Sequence, residues 1–519
     1  MAMNRRDFIK GAGAALAAGG GLLAGFAGTT PIAAAATPDT WDYEVDVVVA
    51  GGGNGGLSAA ASAAEEGKSV ILAEISGFLG GGSAYSGGTI HCWGLQNWEE
   101  YNKHTEGLHD QVIAKTYVET FRNTYIPWLR GNGIPLTKLS SGRGYNQDWQ
   151  MGSGEQGYLK HKAYFDALAN FITSKGGKIM TKTRVLRLVA DDQGAVLGIE
   201  AKTETGRIFI KAKKGVILAT GGFENNKGLM AHAMPNGEMT RVMAVPYSTG
   251  DGMLMAQGVG AMTTGSFSTF SGVLCAVAPG PQTEEIPELY EKYRAGDPAS
   301  LPGLGNGRPI APQWFDPTFE EKNTAILVNL QGKRFMDESS PVDAKYARIP
   351  QTVIKQKRGM AIMVADKAIY DKSASSAALL QLIQTQGGQV FSGNTIEELA
   401  GKLADAYGLY ASAFIRTIKD YNYAIDNKIA ANLEVPRAAN PNKISTAPFY
   451  AVAVTPAVYH TFGGLLINEK AQVLDVQKEP IPNLYACPPV AGIFREVYGG
   501  GIASAGTFGY IAGKTAAKS

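Results

Sequence analysis

The chain has few of the residues that bind metals or cross-link a fold. Its 519 residues include three cysteines, Cys92, Cys275 and Cys487. They lie far apart and form no C-x-x-C pair, which excludes a disulfide framework, a thiolate metal cage and a covalent haem site. The six histidines (His91, His104, His109, His161, His232 and His460) are scattered without metal-ligand spacing. No metal is expected. Charge is also scarce, with 18% charged residues and a formal net charge of +2. Within residues 1–36, Arg5, Arg6 and Lys10 against Asp7 account for that excess, so the remainder is close to neutral. A near-neutral chain lacks the basic footprint of a nucleic-acid binder. Beyond residue 36 no run is long and apolar enough to span a bilayer. Any demanding redox chemistry must then come from a bound organic cofactor.

Glycine, by contrast, is abundant at 65 residues and follows no collagen-like period. It is expected at tight turns and where backbone approaches a ligand closely. The length implies two or more domains. The first residues read as an address. Asn4-Arg5-Arg6-Asp7-Phe8-Ile9-Lys10 precedes a weakly apolar Gly/Ala/Leu stretch over 11–28, then Pro31 and the run Ala33 to Ala36. This resembles a twin-arginine (Tat) signal peptide cut after Ala36, with 37–43 as a linker. The alternative, an uncleaved anchor, is a poor span because of its glycines. The Tat translocase is thus the expected export partner, and the destination is periplasmic or otherwise extracytoplasmic.

A dinucleotide fingerprint follows. Glu44 to Ala50 reads as a buried, valine-rich strand that runs into Gly51-Gly52-Gly53-Asn54-Gly55-Gly56. A small-residue helix follows from Leu57 to about Glu66, and a second strand over 69–73 ends on Glu74. Gly51 permits the tight turn, Gly53 lets backbone approach a pyrophosphate, and Gly56 lets helix and strand pack closely. The helix N-terminus favours the phosphates, and Glu74 is spaced to grip a ribose hydroxyl. The alternative is a glycine-rich turn in an ordinary α/β protein.

This geometry alone does not separate FAD from NAD. Three later features favour FAD. A second glycine-rich loop, Gly80 to Gly88, follows soon after Glu74 and implies backbone wrapped along an extended ligand. Short strands over 178–212, punctuated by Gly194 and Gly206, lead to a buried strand that ends in Thr220-Gly221-Gly222. Near the C-terminus stand His460-Thr461-Phe462-Gly463-Gly464 and Tyr498-Gly499-Gly500-Gly501, before a small-residue helix from Ala503. From Glu44 onward this ordered set resembles the fumarate reductase/succinate dehydrogenase flavoprotein class, which includes urocanate reductases and 3-ketosteroid dehydrogenases. The matching pieces are DVVVAGGGNGGLSAA, GGGSAYSGG, GVILATGGFENN, STGDG, NLQGKRFMDE, HTFGGLLIN and GGGIASAGTFGYIAG.

The resemblance implies an α/β fold. Its parts are a Rossmann-type, glutathione-reductase-like FAD-binding domain over 44–266 and 446–519, and an inserted α+β capping domain over 267–445. Composition agrees, because a Pro/Gly-rich stretch runs from Pro279 to Pro317. A capping box, Thr395 with Glu398, then opens an apolar-periodic segment through Leu399, Leu403, Phe414 and Ile418 that reads as two helices. Carried over by residue, Gly51, Gly53, Asn54, Gly55, Gly56 and Glu74 hold the ADP half of FAD. Ser83, Gly87 and Gly88 lie along the pyrophosphate and flavin. Val185 meets the adenine through its backbone, and Thr220, Gly221 and Asp251 sit in matching motifs. Gly463, Gly464, Ile502 and Ala503, with His460, fall at the flavin end. Where fumarate reductases carry Gly-Glu-Val before the last helix, this chain has Pro488-Pro489-Val490, without the glutamate.

Reduction of an activated C=C bond needs a hydride to one carbon and a proton to the other. In fumarate reductases the proton comes from an arginine in the cap. Gapless alignment through Asp337-Glu338 puts Val342 there, and the second, substrate-clamping arginine aligns best with Val497, in a loop that is shorter here. Without opposed cations a small dicarboxylate is poorly held. The catalytic candidates are His460, Tyr498, Tyr346, Arg348 and Arg495. Tyr498 is similar to the tyrosine of the Tyr-Pro-Gly segment in ketosteroid dehydrogenases. Tyr346 and Arg348 are alternatively cap-surface residues. Arg495 lies beside Ile493 and Phe494, which suggests a pocket; a surface pair with Glu496 is the alternative. The leading expectation is an exported FAD-dependent enzyme that reduces an α,β-unsaturated carbonyl compound, with electrons from a cytochrome or quinol-linked partner. A dehydrogenase running in the oxidative direction, and an electron carrier without its own substrate, are the alternatives.

Overall fold

The structure is a computed structural model that describes residues 31–84, 86–139, 148–152, 161–242, 245–277, 325–338, 347–371, 389–439 and 441–519. The paired arginines, the proline-rich stretch over 279–317, Val342 and Tyr346 lie outside the described residues.

The strands that position the site are β1 (Tyr43–Ala50), β2 (Val70–Ala73), β3 (Lys178–Met180), β4 (Arg184–Ala190), β5 (Val196–Lys202), β6 (Arg207–Leu218), β7 (Phe270–Ala276), β8 (Ile326–Val328), β9 (Ala361–Asp366), β10 (Val390–Gly393), β11 (Phe449–Thr461), β12 (Gln472–Leu474) and β13 (Pro480–Ala486). The helices are α1 (Asn54–Glu65), α2 (Trp98–His104), α3 (Gln111–Thr120), α4 (Lys162–Ser174), α5 (Asp251–Gln257), α6 (Arg348–Val353), α7 (Ile396–Tyr407), α8 (Ala411–Asp426) and α9 (Gly501–Lys518).

Strands β13, β6, β1, β2 and β3 form a parallel sheet in that order, with β1 at its centre. Burial on both faces explains the unbroken valines of β1. The two short strands expected around Ala212 are one, because β6 runs unbroken from Arg207 to Leu218. Its first half pairs with β5 and its second half with β13, while β1 pairs along both. Helices α1 and α9 cross with almost no side chain between them. A Cβ on Gly509 would lie 2.1 Å from the Gly55 carbonyl oxygen, and one on Gly513 would lie 2.2 Å from that of Ala59. The alanines and glycines of both helices are therefore a packing requirement.

A second sheet is built on β11, which pairs antiparallel with β7, β9 and β10. Two apolar cores meet along this ribbon. Phe449 and Ala451 to Val454 pack with α7 and α8, whereas Val458 and Phe462 pack with the parallel sheet. The Thr395 hydroxyl caps α7 by accepting the Glu398 N–H at 3.0 Å, and Leu399, Leu403, Phe414 and Ile418 are buried. One strand thus runs from the core around α7 and α8 into that of the parallel sheet, and His460 is carried at its far end.

Residues ahead of the linker are also packed. The Ala35 N–H donates to the Leu188 carbonyl at 2.7 Å, the Ile32 N–H donates to Leu254 at 3.1 Å, and Ala35 is 4% exposed. A cut after Ala36 would remove these contacts.

Candidate active site

The glycine-rich segments converge at the C-terminal ends of β1 and β6, where open parallel sheets bind ligands. Gly51 has φ +106°, and a Cβ there would lie 2.4 Å from the Ala219 carbonyl oxygen. A Cβ on Gly56 would lie 1.8 Å from the Gly51 oxygen, so α1 could not start against this turn with any side chain. Gly53 and Gly82, by contrast, face no atom closer than 3.9 Å and leave room for a ligand against backbone. The two loops are joined where the Gly80 N–H donates to the Gly52 carbonyl at 2.8 Å.

Glu74 closes β2 onto this turn. Its Oε2 accepts the Gly52 N–H at 2.6 Å, and its Oε1 accepts the Ser76 N–H at 2.8 Å and the Ser76 hydroxyl at 2.7 Å. Burial raises its pKa, and these hydrogen bonds oppose the rise. Asn54 serves the fold through its side chain. Its side chain points inward, donating to the Ile502 carbonyl at 2.9 Å and accepting from Tyr164 Oη at 3.0 Å. Its amide ties α1 to the start of α9, and its backbone N–H lies in the first turn of α1. Val185, one strand beyond, follows Thr183, whose N–H bonds the Glu74 carbonyl at 2.8 Å. Asp251 opens α5 and pairs with Arg184 at 2.8 Å. The Thr220–Gly222 turn meets the start of α5, where the Gly250 N–H donates to Gly222 at 3.1 Å. Ser83 and Gly87 are half-buried, and Gly88 has φ +77° with its α-carbon against the His161 ring. Gly464 pairs with Thr264, and a Cβ on Gly463 would meet the Phe267 ring at 2.5 Å.

The candidate chemical groups stand at the beginning of α9. The His460 and Tyr498 rings are 5.4 Å apart, and both pack on Phe494. The Tyr498 phenol oxygen accepts the Gly501 N–H at 2.8 Å. A Cβ on Gly501 would lie 3.0 Å from His460 Cε1 and 3.2 Å from Tyr498 Oη. Gly500 gives α9 no side-chain cap, so the phenol serves as one. Burial pushes the His460 imidazole down to about 4, which keeps it neutral at physiological pH. Ile502 and Ala503 lie in the same turn.

The remaining candidates are elsewhere. Arg348 forms an exposed ion pair with Glu106 at 2.5 Å, bridging α6 to the turn after α2. Arg495 is exposed beside exposed Glu496, so the pocket suggested by its apolar neighbours is not where its side chain lies. The side chains of Ile493 and Phe494 are buried, whereas those of Arg495 and Glu496 are exposed.

Comparison with known proteins agrees with this geometry. A family model described as an FAD binding domain matches residues 46–504. The chain belongs to this FAD-binding family. A probable fumarate reductase from Shewanella frigidimarina is 27% identical over 470 residues, covering 87% of this chain and 71% of that protein. A vinyl phenol reductase from Lactiplantibacillus plantarum is 26% identical over 495 residues, covering 88% of this chain and 91% of that protein. The solved open conformation of a flavocytochrome c3 fumarate reductase superposes with TM-score 0.66 at 26% identity, covering 92% of this chain and 79% of that one. The protein is an FAD-dependent oxidoreductase acting on CH–CH groups, as these relatives are.

The residues present fit FAD. The α1 N-terminus has no side-chain cap, Gly53 and Gly82 leave backbone open, and the Glu74 carboxylate is fixed beside the glycine turn.

One buried acid of the flavoprotein carried no sequence signal beyond its motif. Glu224 is 2% exposed, and burial pushes its carboxyl up to about 7 against the opposing Ser248 and Thr461 hydroxyls. The folded state therefore binds this proton more tightly than the unfolded chain does. Stability from Glu224 is complete below the ordinary value of 4.5, falls as pH rises, and levels off above 7. At about 1.4 kcal/mol per pKa unit the loss is on the order of 3 kcal/mol. Urea unfolding at pH 5 and pH 8 is expected to show a smaller pH-dependent loss in Glu224→Gln than in the unaltered flavoprotein. Equal losses in the two would mean that Glu224 is ionised in the folded protein throughout.

Proposed function

We propose that this flavoprotein reduces the C=C bond of an α,β-unsaturated carbonyl compound larger or less charged than fumarate, with electrons from a cytochrome or quinol-linked carrier outside the cytoplasm. The observation that carries this reading is the Tyr498 phenol beside a neutral His460, with its oxygen on the first N–H of α9. In this reading Gly51 to Gly56, Glu74, Ser83, Gly87, Gly88, Val185, Thr220, Gly221, Asp251, Gly463, Gly464, Ile502 and Ala503 hold the cofactor, and the segment over 267–445 caps it.

When bound and reduced by that carrier, FAD would supply the hydride to one alkene carbon. Tyr498 donates its proton to the other carbon. The Gly501 N–H, at a helix N-terminus, stabilises the negative charge left on the phenol oxygen. His460 is a neutral donor that orients the activating carbonyl, since an imidazole held near 4 is not a cationic acid at neutral pH. The rings of Trp93, His91 and Phe494 around Tyr498 exclude water. Support for a less charged substrate comes from Val497, which is buried at the position aligned with the clamping arginine.

The test is anaerobic reoxidation of the chemically reduced flavoprotein by a panel of unsaturated acids, enones and ketosteroids. Rapid reoxidation by an uncharged enone, with fumarate inert, is expected. Rapid fumarate turnover would overturn the substrate reading. Faster bleaching of the oxidised form by a saturated ketosteroid would favour the dehydrogenase direction. Failure of every alkene would favour an electron carrier.

A further inference from the structure

The segment that carries Tyr498 has no regular structure, yet three of its consecutive carbonyls are taken by buried side chains. His109 Nε2 donates to the Val497 oxygen at 3.0 Å, Trp93 Nε1 donates to the Tyr498 oxygen at 2.6 Å, and Tyr117 Oη donates to the Gly499 oxygen at 2.9 Å. The donors come from the turn before α2, the turn before α3 and α3 itself, and all three residues are buried. A carbonyl with a fixed donor cannot swing, so the backbone on both sides of Tyr498 is held from one direction.

His109 holds its place through a further bond. Its Nδ1 lies 3.0 Å from the buried Tyr101 hydroxyl. Burial pushes the imidazole down to about 4, so the ring carries a single proton at neutral pH. Nε2 faces a carbonyl and must bear that proton. Nδ1 then accepts the Tyr101 hydroxyl hydrogen, which fixes both the tautomer and the ring orientation. The Tyr101 oxygen also abuts Gly499, where an added Cβ would lie 2.2 Å from it. The same phenol therefore supports the loop directly and through His109.

We propose that His109, oriented by Tyr101, is a positioning residue that fixes Tyr498 over the Gly501 N–H for proton transfer, with Trp93 and Tyr117 completing the clamp. This rests on the reading of Tyr498 as the proton donor. A tyrosine displaced by about 1 Å loses catalytic power on the order of 100-fold.

The test is a double-mutant cycle on single-turnover reoxidation, using the fastest oxidant from the panel above. His109→Phe is expected to slow reoxidation at least tenfold with FAD content unchanged. His109→Gln, whose amide N–H reaches the same carbonyl, is expected to restore the rate to within about threefold, as one charge-neutral donor replaces another. In a Tyr498→Phe background His109→Phe should add little further loss. A full additional loss in that background would overturn the positioning role. An unimpaired Tyr498→Phe enzyme would instead overturn the reading of Tyr498. Hydrogen exchange of the 497–501 amides gives a readout independent of substrate. It should quicken in His109→Phe and not in His109→Gln, and unchanged exchange in both would refute the clamp. If His109→Phe does not fold, Trp93→Phe removes one N–H from the same loop and is read in the same cycle.

Discussion

Tyr498→Phe is expected to lower the rate of flavin reoxidation by the preferred enone by about 100-fold or more, the range typical of a lost general acid. The substitution removes one oxygen and keeps the ring. The ring contacts with His91, Trp93, His460 and Phe494 should therefore persist. The Gly501 N–H loses its acceptor, at a cost of about 1 kcal/mol to the α9 terminus. FAD content and flavin absorbance should be unaltered, and the loss should fall in the rate constant with little change in substrate affinity. Stopped-flow absorbance against substrate concentration separates the two. A variant that keeps its rate constant and binds substrate weakly would make Tyr498 a binding group and move the proton donor elsewhere.

The second large effect lies in the inserted segment. Glu338 falls in the stretch matched to the Asn-Glu motif of fumarate reductases. It is fully buried and accepts the Leu327 N–H at 2.9 Å, Arg334 Nε at 3.0 Å and Arg437 Nη1 at 3.1 Å. Arg437 is itself fully buried, and Arg334 also donates to the Val435 carbonyl at 2.7 Å. One carboxylate thus compensates two guanidinium groups in the core of the segment. Glu338→Gln keeps the volume and removes the negative charge that both guanidinium groups share. A loss of about 3–5 kcal/mol is expected, as for other broken buried ion pairs. The urea midpoint of the flavoprotein should fall accordingly, with substrate turnover lost before flavin is released. A midpoint within error of the unaltered protein would show that solvent or a rearranged side chain replaces the carboxylate at no cost.

Much of the fold could be read from the chain because its constraints are local. The valine run of β1, the Gly51–Gly56 turn and Glu74 are set by backbone sterics and fixed spacing, and each is where the sequence suggests. The capping box at Thr395 needs only one turn of helix to form. For Asn54 the fingerprint carried no side-chain direction. Its position in the fingerprint suggested a ligand contact, and only the approach of α9, more than 400 residues later, shows its amide turned inward to Ile502. Arg348 and Arg495 were catalytic candidates by charge, but charge alone does not say where a side chain points: Arg348 is half-buried and paired with Glu106, and Arg495 is exposed.

By itself the sequence determined the dinucleotide turn, the cofactor class and the order of segments around it. The turn follows from glycine sterics and strand and helix periodicity, which act over a few residues, and the cofactor class from the resemblance of the ordered motifs to the flavoprotein class. The tertiary structure alone decided which groups meet at the reacting end. His109, Trp93 and Tyr117 share no motif with Tyr498 and lie hundreds of residues before it. They are joined to it because α9 packs against α1, and because β11 carries His460 out of the inserted core to the same corner. Such contacts depend on burial and on the meeting of distant surfaces, and neither leaves a periodic mark along the chain.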